Sequence, residues 1–266
     1  MFLLALLVFV FGLVVGSFLN VVIYRSVKGE SPFAGRSACD NCGKKIDWRH
    51  NIPLLSFFWL RGRCQNCHKK ISWQYPVVEF MVGLLFIWWV LIGRSFFLLA
   101  AHPFDYWQPA FWLMVGVVLL AVVVFDLVYG IIPDGLNIFL FAWALIYRLA
   151  LSYFGLMRPV DLGLALISGG ALALFFAALY YGTRGKGFGF GDVKLAPALG
   201  LLLGWPKTLV GAMSAFFIGA VVAVTLLLMR RKRFGQTIPF GPFLVLGTVV
   251  ALLWGNQIWS WYMGLL

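Results

Sequence analysis

Apolar residues fall into eight long blocks: Phe2–Ile23, Pro76–Gly93, Pro109–Phe125, Gly135–Phe154, Asp161–Tyr181, Asp192–Gly204, Thr208–Met229 and Phe240–Tyr262. Short polar connectors separate most of them, and one long polar stretch, Arg25–Tyr75, divides the first from the second. About 20 apolar residues carry a helix across a bilayer core, so each block is expected to be a spanning helix. The first has no basic residue ahead of it and no small-residue cleavage site, which predicts a retained helix rather than a secretory signal. Gly12 and Gly16, and Gly211 and Gly219, are expected where helices approach closely. The sixth block is short. From Asp192 to Gly204 a helix rises only ~18 Å, against ~30 Å of hydrocarbon, so Asp192 is expected below the membrane surface in a wet cavity between helices.

Composition agrees with a bilayer. Hydrophobic residues make up 62% of the 266 and charged residues 11%, with a mean hydropathy of +0.94. Water-soluble domains carry about a quarter charged residues, which excludes a soluble chain. The expected fold is an all-α polytopic membrane protein: about eight transmembrane helices, with a small cytoplasmic metal-binding domain between the first two. Residues 1–24 form the first helix, 25–75 the cytoplasmic domain, and 76–266 the remaining helices. The net charge of +12 is concentrated. Ten Lys and Arg lie in Arg25–Tyr75, three in Arg184–Lys194 and four in Arg230–Arg233, all on one side of an eight-span chain. The positive-inside rule puts that side in the cytoplasm. Orientation and attraction to anionic headgroups account for the charge, and no nucleic acid is needed as a partner.

Arg25–Tyr75 holds all four cysteines, as Cys39-Asp40-Asn41-Cys42 and Cys64-Gln65-Asn66-Cys67, with 21 residues between the pairs. Two such turns can close a tetrahedral four-thiolate Zn2+ site, which is structural because no coordination position stays open. A cytoplasmic location disfavours the alternative of two disulfides. The halves resemble a duplication, Cys42-Gly43-Lys44-Lys45-Ile46-Asp47-Trp48 against Cys67-His68-Lys69-Lys70-Ile71-Ser72-Trp73. His68 adjoins a ligand and is a substitute candidate; His50 and His102 read as polar loop residues.

Acidic residues near membrane depth carry the candidate chemistry. Asp126 closes the third block and Asp192 opens the sixth after Gly187-Phe188-Gly189-Phe190-Gly191, so the two could meet. Two adjacent carboxyls do not both ionise cheaply; one can take a proton from water while the other donates to a peptide carbonyl. Helix capping is the plainer alternative for Asp192, and the favoured one for Asp134, which competes with Asp126 as partner. Glu79 is a buried acid without an assigned partner, and Lys194 points to another helix face than Asp192. No His-Glu-x-x-His motif is present, and Ser168 has no evident base. Buried carboxylates also serve proton-coupled transporters, the main rival, although no repeat of spans is visible. A non-catalytic assembly protein is a third possibility.

Several stretches resemble the type IV prepilin leader peptidases: Gly16-Ser17-Phe18-Leu19-Asn20 through Arg25, both Cys pairs, Asn51-Ile52-Pro53-Leu54-Leu55-Ser56 and Tyr75-Pro76-Val77-Val78-Glu79. The likeness continues through Phe125-Asp126, Ile132-Pro133-Asp134, Gly189-Phe190-Gly191-Asp192-Val193-Lys194 and Ile238-Pro239-Phe240-Gly241-Pro242. The resemblance implies a membrane aspartic peptidase with Asp126 and Asp192 as the catalytic pair and Zn2+ on Cys39, Cys42, Cys64 and Cys67. It implies substrates that are prepilins or type II secretion pseudopilins, cut on the cytoplasmic side of the bacterial inner membrane. It also implies N-methylation of the new terminus from S-adenosylmethionine. The methyl-transfer residues receive no positions, because no Gly-rich nucleotide loop on a strand–helix unit is visible.

Overall fold

The computed structural model describes residues 2–97, 99, 102–231 and 237–265. Lys232 and Arg233, the end of the basic run, lie outside the described residues. Among those described, extended backbone pairs only in two isolated antiparallel bridges, Ala38 with Lys45 and Arg63 with Lys70; everything else regular is helical. The chain falls into two compact units, Met1–Val117 and Val118–Leu266, which divide inside one helix.

The first unit opens with α1 (Phe2–Lys28) and continues with a short α2 (Leu55–Trp59). Next comes α3 (Gln74–Trp88), which runs through a π turn, Trp89–Gly93, into α4 (Arg94–Phe97). A Cβ on Gly12 would lie 2.8 Å from Gly83 Cα, and one on Gly16 would lie 2.7 Å from Glu79 Cα. Side-chain-free surfaces therefore let α1 and α3 touch backbone to backbone. That contact replaces the hydrophobic drive that lipid cannot supply between helices.

Helix α5 (Phe104–Tyr129) crosses the boundary between units. The second unit continues with α6 (Asp134–Tyr153), α7 (Pro159–Gly182), α8 (Phe190–Leu203), α9 (Lys207–Leu228) and α10 (Gly241–Met263). All eight predicted blocks are helices. Seven helices among the described residues are long and apolar enough to cross a membrane: α1, α3 together with its π turn, α5, α6, α7, α9 and α10. The eighth, α8, has 14 residues; beyond its first turn it is apolar all round and enclosed, since from Leu195 to Leu203 only Pro197 is not buried. Gly200 approaches the backbone of Gly169 in α7, and a Cβ on Gly169 would lie 2.8 Å from the Pro197 carbonyl. Gly211 and Gly247 join α9 to α10 in the same manner.

The short helix is secured at both ends. Arg148 of α6 donates from Nε to the Leu201 carbonyl and from Nη2 to that of Leu202, at 3.3 Å for the latter. A cation there meets the negative end of the helix dipole. Asp192 occupies the first turn, at the positive end.

Candidate active site and cysteine turns

Asp126 sits near the C-terminal end of α5 and Asp192 near the start of α8; they are 9% and 3% exposed, rare burial for carboxyls. Each accepts one backbone hydrogen bond. Gly241 N–H donates to Asp126 Oδ2 at 2.8 Å, and Gly189 N–H donates to Asp192 Oδ2 at 3.2 Å. Neither Oδ1 accepts a hydrogen bond among the described residues, so each carboxyl keeps one oxygen for other work. The segments whose glycines hold the two carboxyls meet through the rings of Phe188 and Phe240, which puts both acids in one neighbourhood. Asp192 does cap its helix, and capping uses only one of its oxygens.

The glycines are held in place by rings. Phe188 precedes Gly189, Phe240 precedes Gly241, and their rings meet edge to face at 5.1 Å. Phe176 of α7 and Phe216 of α9 complete a quartet in which every ring touches every other, at 5.0–6.0 Å between centroids. A Cβ on Gly241 would lie 2.6 Å from Asp126 Oδ2, and one on Gly191 would lie 3.2 Å from Ile132. Sequence reasoning assigned Gly241 no role beyond the resemblance. The available clue was a glycine followed by Pro242 at the head of an apolar block, where a helix N-terminus exposes free N–H groups.

The competing acid goes elsewhere. Asp134 Oδ1 pairs with Lys194 Nζ at 2.6 Å, with both side chains partly exposed. Asn137, one turn further along α6, is buried, and neither atom of its amide has a protein hydrogen bond. Glu79 accepts from the Leu54 N–H at 2.8 Å. Ser168 donates to the Leu164 carbonyl within its own helix.

The four cysteines converge, with their sulfurs all within 4.8 Å of one another and Cys39 Sγ to Cys67 Sγ at 3.8 Å. Metal–sulfur bonds of about 2.3 Å in a tetrahedron put sulfurs about 3.8 Å apart, so the cluster fits one such ion. The duplication is visible in three dimensions. Cys39 N–H donates to the Lys44 carbonyl and Cys64 N–H to that of Lys69, at 3.0 and 2.9 Å. Asn41 donates to Cys67 Sγ and Asn66 to Cys42 Sγ, both at 3.7 Å, while Lys44 and Lys69 hold the two amide oxygens. Cys42, Cys64 and Cys67 lie below the ordinary thiol range, chiefly through the backbone N–H groups of Lys44, Cys67 and Lys69 respectively. Gly43 and His68 occupy equivalent positions with φ of 66° and 55°, so His68 serves as a turn residue and lies outside the sulfur cluster.

Comparison with known proteins adds independent findings. A family model described as the bacterial Peptidase A24 N-terminal domain matches residues 10–92, and one described as the type IV leader peptidase family matches residues 112–224. The prepilin leader peptidase/N-methyltransferase of Aeromonas salmonicida (strain A449) is 34% identical, over 97% of this chain and 93% of its own. The protein of that name from Aeromonas hydrophila is 35% identical over the same shares, and that from Pseudomonas aeruginosa 32% identical over 95% and 91%. No solved structure matches the chain.

Proposed function

Because the chain belongs to the type IV leader peptidase family, we propose that Asp126 and Asp192 are the catalytic pair of a membrane-embedded aspartic endopeptidase. The protein is a bifunctional peptidase and methyltransferase. Its substrates are prepilins or type II secretion pseudopilins, the leader is cut at the cytoplasmic face of the bacterial inner membrane, and S-adenosylmethionine methylates the new N-terminus. The observation that carries the catalytic assignment is the pair of buried carboxyls, each fixed by one glycine N–H and each with one oxygen unused.

In this mechanism the two carboxyls share one proton. The ionised member takes a proton from water as the water oxygen attacks the scissile carbonyl carbon, and the protonated member gives its proton to the carbonyl oxygen. Collapse of the tetrahedral intermediate breaks the C–N bond, with a proton passing to the departing amine. No acyl-enzyme forms. The backbone donors hold both carboxyls in place, so little reorganisation is needed during the reaction. Exposed to half-buried glycine-rich backbone ahead of Asp192 lets an extended peptide approach closely.

The cysteine cluster holds a structural zinc ion, which closes the two turns into one fold and takes no part in peptide cleavage.

The test uses purified protein in detergent with a prepilin and labelled S-adenosylmethionine. Asp126→Asn and Asp192→Asn are expected to fold normally and to slow cleavage by at least about 10²–10⁴-fold, the usual contribution of acid–base groups. Full cleavage by either variant defeats the assignment. Methyl transfer to a precut substrate by the same variants separates loss of chemistry from loss of fold.

A further inference from the structure

Two buried polar side chains of the first unit take no part in the peptidase chemistry, Arg25 in α1 and Glu79 in α3. Both are committed to the backbone of non-helical loops. The Arg25 guanidinium donates to the carbonyls of Ser31, Pro32, Ala34, Gly35 and Arg36, folding this loop back along α1. The fold-back sets the Phe33 ring against Phe18, centroids 6.0 Å apart. Phe18 precedes the end of α1 at Lys28 by ~15 Å of helix rise. Glu79 likewise holds the Leu54 N–H ~7 Å inside the start of α3 at Gln74. Both loops therefore descend beside helices long and apolar enough to cross the membrane.

Non-helical backbone persists at membrane depth only where protein groups satisfy its polar atoms. Arg25 and Glu79 do that for these loops. Apolar side chains stand largely exposed here: Phe33 is 85% exposed on the first loop, and Leu55 64%, Phe58 64% and Trp59 81% on α2, which follows Leu54. Phe18, under Phe33, is itself 47% exposed on the outside of a spanning helix. Arg36, Arg49, Arg61 and Arg63 flank these residues and are all exposed. Aromatic tips with arginines beside them match the boundary between acyl chains and anionic headgroups.

We propose that the Phe33 loop and α2 are two lipid-inserted prongs, Phe33 on one and Leu55, Phe58 and Trp59 on the other, which clamp the cysteine-bearing domain to the surface of an anionic phospholipid bilayer. The full chain, in membranes containing phosphatidylglycerol, carries p-benzoyl-phenylalanine in place of Phe33 or Trp59. Leu7, exposed on α1, and Gln65, exposed between the cysteines, serve as lipid-facing and aqueous references. After irradiation, phospholipid adducts detected by mass are expected at positions 33 and 59 at the yield of position 7, and severalfold above position 65. Adducts mainly to polypeptide, from the same chain or an added prepilin, overturn the proposal. So do lipid yields no higher than at position 65. An aromatic replacement at exposed aromatic positions leaves folding intact, and retained prepilin cleavage checks this.

Discussion

Single residues separate the proposed catalytic acid from its competitor. Asp126 and Asp134 are equally conspicuous in the sequence, and the difference between them is their partners. Asp126 accepts from a backbone N–H and its charge bears on Asp192, whereas Asp134 meets Lys194. Partly exposed pairs of the latter kind contribute about 0–1 kcal/mol, so Asp134→Asn is expected to keep cleavage within a few-fold of the parent. Complete loss at normal expression would transfer the acid role to that position. Gly241 makes the opposite prediction. At a helix N-terminus Gly→Ala is ordinarily harmless or stabilising, but here the added Cβ falls 2.6 Å from Asp126 Oδ2. The carboxyl or the helix start must move, and displacement of about 1 Å in a catalytic group can cost about a hundredfold in rate. Gly241→Ala is thus expected to lose cleavage while its thermal unfolding stays near that of the parent; unchanged cleavage would remove the carboxyl–N–H contact from the mechanism. Backbone partners of this kind, like the Leu54 N–H on Glu79, leave no residue-type trace in a sequence, so the sequence shows no partner for Glu79.

Helices were the most legible level, because an apolar block near bilayer length has few other ways to satisfy its backbone. Their ends were less so. α1 runs on to Lys28, past Ile23, and α5 starts at Phe104 ahead of Pro109, since amphipathic ends continue a helix that hydropathy alone truncates. The sixth block is as short in the structure, at 14 residues, as in the sequence. What hydropathy could not tell is that α8 is enclosed by protein, or that rings from α7 and α9 brace the two segments whose N–H groups grip the acids. Ring contacts join residues far apart in the chain, and a phenylalanine in an apolar block resembles any other. Each aromatic pair adds about 0.5–1.5 kcal/mol beyond its burial. Since ~1.4 kcal/mol is tenfold in rate, Phe216→Leu is expected to lower kcat by about tenfold with little change in KM. Phe216→Tyr, which keeps the ring, should restore it. Trp259→Leu breaks a comparable contact with Trp205 that involves neither aspartate nor its donor, and should leave kcat alone. Equal effects of Phe216→Leu and Trp259→Leu would reduce the quartet to ordinary packing.

At the scale of the molecule, two kinds of cohesion operate side by side. Spanning helices hold together through close backbone contact and through internal hydrogen bonds that lipid cannot compete for. The segment from residue 31 to 72 has little of either: among its residues only Phe57 is buried, its extended backbone pairs in two isolated bridges, and its other backbone hydrogen bonds are those of short turns, α2 and the Arg25 and Glu79 contacts. What gathers it is the sulfur cluster and the reciprocal Asn–Lys bonds around it. Structural zinc in small peptide folds supplies apparent binding energies of about 10–16 kcal/mol, far above what one buried ring can offer. Removing the proposed zinc ion should therefore melt this segment and spare the helices. Hydrogen exchange with and without a chelator reads this directly. The amides of Cys39, Gly43, Cys64 and His68, which close the two turns, should lose protection. Those of α1 and α3, joined through Gly12, Gly16 and Gly83, should keep theirs. Metal analysis should find about one zinc per chain beforehand, as one tetrahedron of four thiolates requires. Protection that survives chelation, or a chain isolated intact without metal, would mean that the asparagines and lysines alone hold the turns, and that the paired cysteines do something other than bind an ion.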